Sequence, residues 1–92
     1  MVITYGQEPD PAKRIRQHQG ARLRQARELR GLTQAQLAQL IIDTCDIPIT
    51  AQAISLWETG TSSPRPHLQV AVARALGVAP SLLFSLDAEA VA

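Results

Sequence analysis

A chain of 92 residues with a net charge of +1 has room for one small domain and little else. Its single cysteine, Cys45, excludes an intrachain disulfide and a Cys-based zinc site, and no apolar run is long enough to span a bilayer. The opening MVITYGQEPDP lacks a charged segment followed by an apolar one, so a cytoplasmic protein without a secretory signal is expected.

Val2, Ile3, Thr4 and Tyr5 have strand propensity but are too few to form a sheet, and a flexible arm is expected there. Asp10 before Pro11 is a helix start, with aspartate at N-cap and proline at N1. A first helix is predicted from Pro11 to Arg30, stopped by Gly31. Gly20 interrupts it at a cost of about 1 kcal/mol relative to alanine. The alternative is a helix that begins near Gly20, with a looser basic extension before it. Thr33 opens a second helix over Gln34–Thr44. Its hydroxyl can accept a free first-turn amide, Gln36 completes a capping box, and Leu32 and Leu37 stand at staple spacing.

Cys45, Asp46, Ile47 and Pro48 form a connector, because proline cannot sit in a helix interior and disfavours helical geometry at Ile47. Thr50 caps a third helix over 51–59, with Ile49 and Ile54 at staple spacing. Ala53 cannot complete a capping box, so this start is weaker. Gly60 takes the left-handed position that ends the helix. After a Ser/Thr-rich turn to Pro64, Pro66 falls in the first turn of a fourth helix. Its stripe of Leu68, Val72, Ala75 and Leu76 ends at Gly77. A short fifth helix starts at Pro80 and carries Leu82, Leu83 and Phe84, and the acidic tail after Leu86 should fray. The chain thus divides into an arm and basic extension (1–19), a helical domain (20–86) and a tail (87–92). With Trp57, Tyr5 and Phe84 the only aromatics, Leu, Ile, Val and Ala must build the core, which suits an all-α bundle.

Charge is distributed unevenly. Lys13, Arg14, Arg16, Arg22, Arg24, Arg27 and Arg30 precede Gly31, opposed over that stretch by Glu28 alone. After Gly31 only Arg65 and Arg74 are basic, against Asp43, Asp46, Glu58, Asp87 and Glu89. A basic element beside a neutral body is an electrostatic footprint for nucleic acid; the plainer reading is a solvated helix face. His18 and His67 lie on separate elements, with no nucleophile motif, Gly-rich loop or metal-ligand spacing near them. No enzyme, metal or cofactor is therefore expected.

Two capped segments joined by a connector, the second closing on glycine, read as a helix-turn-helix. The ordered set around them resembles the lambda-repressor-like, Cro/C1-type (XRE) helix-turn-helix family. The matching residues are Leu23 and Arg27, then Gly31-Leu32-Thr33-Gln34, Leu37 and Ala38. They continue with Ile54, Ser55, Trp57, Glu58 and Gly60, then Pro64, and close with Ala73, Leu76, Gly77 and Val78. The likeness covers about Gly20 to Phe84. It implies a compact all-α bundle of about five helices whose third helix enters the major groove of DNA.

The resemblance also implies roles for individual residues. Gln34 would touch a phosphate and brace the recognition helix, and the plainer reading is an N1 side chain in solvent. Arg27 and Glu58 would form an internal salt bridge. If Ile54, Trp57 and Glu58 point inward, Ala51, Gln52, Ser55, Leu56 and Thr59 point outward or sideways. Gln52 is then the candidate for adenine, and Ser55 for a base or a phosphate. Ala51 and the Thr50 methyl are candidates for a thymine methyl. Leu56 stands where relatives carry lysine, arginine or glutamine, which suggests either packing on thymine methyls or altered DNA binding. Thr59, Thr61, Ser62, Ser63 and Arg65 would meet the sugar-phosphate backbone, and Lys13, Arg14 and Arg16 would grip flanking phosphate as an arm.

One departure is the connector between Ala38 and Ile54, which is longer than the family spacing. Either the second helix and hinge are extended, with Ile47 and Ile49 turned into the core, or Asp43–Ile49 contacts a protein partner. The expected function is a sequence-specific regulator of transcription, a repressor that binds a double-stranded operator as a homodimer. Its interface would use Leu82, Leu83, Phe84 and Leu86, the alternative being that they cap the core. The alternative is a protein-interaction or antitoxin-type module on the same fold, since 51–59 carries no Lys or Arg.

Overall fold

Asp10 and Pro11 begin the first helix. In the computed structural model, which describes residues 10–85, the Asp10 carboxylate accepts the Ala12 amide at 3.0 Å and Pro11 opens α1 (Pro11–Leu29). The helix runs through Gly20 without a break, so residues 11–19 are its first half rather than a loose extension. The arm read over Val2–Tyr5, Leu86 and the tail lie outside the described residues.

The second helix, α2 (Gln34–Cys45), starts on a complete capping box. The Thr33 hydroxyl accepts the Gln36 amide at 3.0 Å, and the Thr33 amide donates to Gln36 Oε1 at 2.8 Å. Thr33→Ala should therefore lower stability by about 1 kcal/mol, read as a reduced urea midpoint at unchanged m-value. The third helix, α3 (Ala51–Glu58), has half of this device: Thr50 Oγ1 accepts the Ala53 amide at 3.1 Å, and alanine has nothing to return. Next come α4 (Pro66–Leu76) and α5 (Pro80–Phe84), each with proline in its first turn.

The long connector resolves into two parts. α2 reaches Cys45, and Asp46 caps it in the left-handed region at φ 56°, its amide bonded to Ile42 O at 2.9 Å. Aspartate tolerates this conformation better than most residues. An extended hinge then brings half-buried Ile47 and Ile49 back against the core, and Asp43, Asp46 and Pro48 stay exposed. The added length is thus absorbed by a longer helix and two isoleucines that pack.

Leu23, Leu37, Ile41, Ile54, Val72, Leu76 and Leu83 are fully buried and supply the core, joined by Trp57. α1 packs on α3 and α5, α2 on α3 and α4, and α4 on α5. The fifth helix is therefore part of the core wall: Leu83 is 1% exposed and cannot serve an interface, and Phe84 is half-buried. No described helix is long and apolar enough to cross a membrane.

Gly20 has a different role from a helix break. A Cβ placed on it would lie 2.7 Å from the Glu58 carbonyl carbon, and closer still to the carbonyl oxygens of Trp57 and Glu58. Across the same crossing, Gly60 at φ +78° has the backbone of Gln17 against it, 2.9 Å from where its own Cβ would be. The two glycines let the backbones of α1 and the end of α3 touch.

Candidate nucleic-acid interface

Glu58 holds the three helices that matter. Arg27 on α1 meets it with both edges of its guanidinium, Nε to Oε2 at 2.6 Å and Nη2 to Oε1 at 3.0 Å. The third guanidinium nitrogen, Nη1, donates to Leu32 O at 2.7 Å, which ties in the α1–α2 turn. Gln34, the first residue of α2, donates from Nε2 to Glu58 Oε1 at 3.1 Å. Both charged residues are buried, and no buried side-chain nitrogen or oxygen among the described residues lacks a partner. Hydrogen bonding to Glu58 raises the Arg27 pKa, against the desolvation that lowers it. The expected internal salt bridge is present, and Gln34 braces α3 by a direct bond.

The recognition-helix candidate is sorted by this anchor. Ile54, Trp57 and Glu58 face inward; Thr50, Gln52, Leu56 and Thr59 are exposed, and Ala51 and Ser55 are half-buried. This is a helical face of about one third of the circumference, and it follows from 3.6 residues per turn once three positions are buried. The Gln52 side chain makes no hydrogen bond among the described residues, so its amide is uncommitted.

The end of α3 is closed by several hydrogen bonds. Leu56 O accepts the amides of Thr61 at 3.0 Å and Ser62 at 3.2 Å, and the Gly60 amide bonds to Trp57 O at 3.2 Å. This is the double closure that a left-handed glycine permits. The Thr59 hydroxyl donates to Leu56 O at 3.1 Å and lies 2.8 Å from the Thr61 hydroxyl. Ser63 and Arg65 follow, both exposed, with Arg65 as the N-cap residue of α4.

The basic run does not form an arm apart from the domain. Arg16 is half-buried and its Nε donates to Gly60 O at 3.2 Å. Arg22 donates to Leu82 O at 3.0 Å, and Gln19 to Phe84 O at 3.0 Å. α1 thus lays polar side chains on the carbonyl ends of α3 and α5, where cations are favourable. Arg24 pairs with Glu28 one turn on, at 3.3 Å, and Arg30 donates to Ala26 O at 2.9 Å. Lys13 and Arg14 are exposed in the first turn of α1, on the helix whose Arg16 reaches the end of α3. Sequence reasoning missed this capping by Arg16, Gln19 and Arg22 and the Gly20 contact. The available signal was a glycine inside a strong helix pattern with no turn residues beside it.

Two capped helices joined by a hinge, the second pinned through Glu58 with an uncommitted outer face, define a helix-turn-helix protein. A family model described as "Helix-turn-helix domain" matches residues 19–86, and the chain belongs to that family, consistent with the Cro/C1-type likeness. Membership indicates a DNA-binding regulator, in a family that is typically non-enzymatic. No curated protein and no solved structure gives a significant match to the chain.

Proposed function

We propose that the protein is a sequence-specific repressor of transcription that binds a double-stranded operator as a homodimer, with α3 in the major groove. The observation that carries this reading is the outer face of exposed Gln52 and Leu56 with half-buried Ser55, held in place by the Arg27–Glu58–Gln34 node. Gln52 pairs with adenine through N6 and N7. Thr59, Thr61, Ser62, Ser63 and Arg65 position the domain on one phosphate run, with Lys13, Arg14 and Arg16 beside them. Gln34 keeps a second amide hydrogen for phosphate after its bond to Glu58, next to the free amides that open α2.

A homodimer doubles the few base pairs one helix can read. Among the described candidates for its interface only Leu82 remains exposed, at 57%. Together with Leu29, 77% exposed, it lines a groove of about 500 Å³ between α1 and α5, edged by Arg22 and Arg30. A second copy of the chain would cover these leucines.

Selection from a random duplex library tests the reading. The expected product is an inverted repeat with half-sites about 10 base pairs apart centre to centre. Gln52→Ala should then relax one base position in each half-site at a cost of about 1–3 kcal/mol. The competing reading, a protein-interaction module, is favoured by one observation: α3 carries no cation, and Asp43 and Asp46 are exposed on the hinge side. Weak binding with no enriched sequence would support it, with Asp43–Ile49 as the contact to examine.

A further inference from the structure

We propose that the base pairs beneath α3 are A·T pairs, with Leu56 as the residue that reads thymine through its C5 methyl. This rests on the DNA-binding reading above and gives it a base composition.

Guanine is read most strongly by Arg or Lys, bonded to O6 and N7. Residues 51–59 contain neither, and the structure removes the nearest substitutes. Arg27 is closed on Glu58 and Leu32 O, and Arg16 is bonded to Gly60 O at the C-terminal end of the helix. Arg65 stands at the N-cap position of α4 and Lys13 in the first turn of α1, so neither belongs to α3. What the outer face of α3 offers is the Gln52 amide, the Ser55 hydroxyl, the hydroxyls of Thr50 and Thr59 that are already bonded to the backbone, and an alkyl surface.

Leu56 is the apolar part of it. The residue is 38% exposed, whereas Ile54 and Trp57 beside it are buried. It stands one turn after Gln52, on the same face. Its backbone is fixed by three donors on its carbonyl oxygen, from Thr59, Thr61 and Ser62, so the isobutyl group projects from a hydrogen-bonded base. The thymine methyl is the apolar group that B-DNA displays in the major groove. An amide that suits adenine next to an alkyl group that suits thymine selects adjacent A·T steps.

Replacing thymine by uracil in the operator tests this without altering the protein. Each thymine of the enriched half-site is exchanged in turn, and affinity is measured for the wild type, Leu56→Ala and Gln52→Ala. The expected result is an A·T-rich half-site with at least one thymine whose methyl is worth about fourfold in affinity, the effect of one buried methyl-sized group. That sensitivity should vanish in Leu56→Ala and persist in Gln52→Ala. An enriched but G·C-rich half-site overturns the inference alone. So does uracil that leaves wild-type affinity unchanged, or that weakens wild type and Leu56→Ala equally. Absence of any enriched sequence overturns the DNA-binding reading and this inference with it.

Discussion

Glu58→Ala should destabilise the domain by about 3–5 kcal/mol, the cost of leaving a buried charge without its partner. The substitution strands the Arg27 guanidinium, which retains only its bond to Leu32 O, and it also releases Gln34. Desolvation accounts for most of the loss, because the Coulomb energy of the pair is partly repaid by water in the unfolded chain. In a domain of this size total stability is on the order of 5–15 kcal/mol, so Tm should fall by more than about 10 °C. Arg27→Met combined with Glu58→Leu should recover most of the loss, since an apolar pair of similar volume removes both charges together. Thermal and urea unfolding of Arg27→Met, Glu58→Leu and the double variant decide the matter. Additive losses in the double variant would show that the residues act separately. The rescued protein should still bind operator more weakly, because Gln34 then has no carboxylate to brace α3.

Gly20→Ala should destabilise despite improving helix propensity. In an exposed helix the change would stabilise by about 1 kcal/mol. Here the new methyl would overlap the Trp57 and Glu58 carbonyls, which are backbone atoms and cannot rotate away. Overpacking against fixed atoms costs about 1–3 kcal/mol or more, so the net sign is unfavourable. Relief requires α1 to move off α3, which would stretch the Arg27–Glu58 bonds and tilt the outer face of α3. The expected result is a lower urea midpoint together with weaker operator affinity. An alanine variant of equal or greater stability would show that the crossing has room. Thr33→Ala is the control, a loss of similar sign that leaves the α1–α3 contact untouched.

Helix starts were legible residue by residue, because capping is local chemistry. Asp10, Thr33 and Thr50 each accept the amide their position predicts, and Gly60 closes α3 as a left-handed residue must. The inward set of Ile54, Trp57 and Glu58 was implied by the family likeness, and helical periodicity then converts those three positions into a face. The Arg27–Glu58 pair came from the family likeness, since nothing in a 31-residue separation announces a contact.

The first half of α1 was the least legible part. A run of arginines reads as a solvated or DNA-seeking face, and only the crossing shows that Arg16 and Arg22 lie on the carbonyl ends of α3 and α5. Likewise a leucine in a short last helix reads equally well as interface or core, and the burial of Leu83 depends on where α1 and α4 place α5.

Local bonding and periodicity, which span three or four residues, therefore set the elements and their ends from the sequence, and with the buried set implied by the family likeness they also gave the exposed face of α3. Contacts between distant residues set the rest: Gly20 admits backbone rather than breaking a helix, the arginines of α1 cap other helices, and the long connector folds its isoleucines into the core. Those outcomes follow from how closely two helices can approach, a property of the packed pair that neither helix carries in its own sequence.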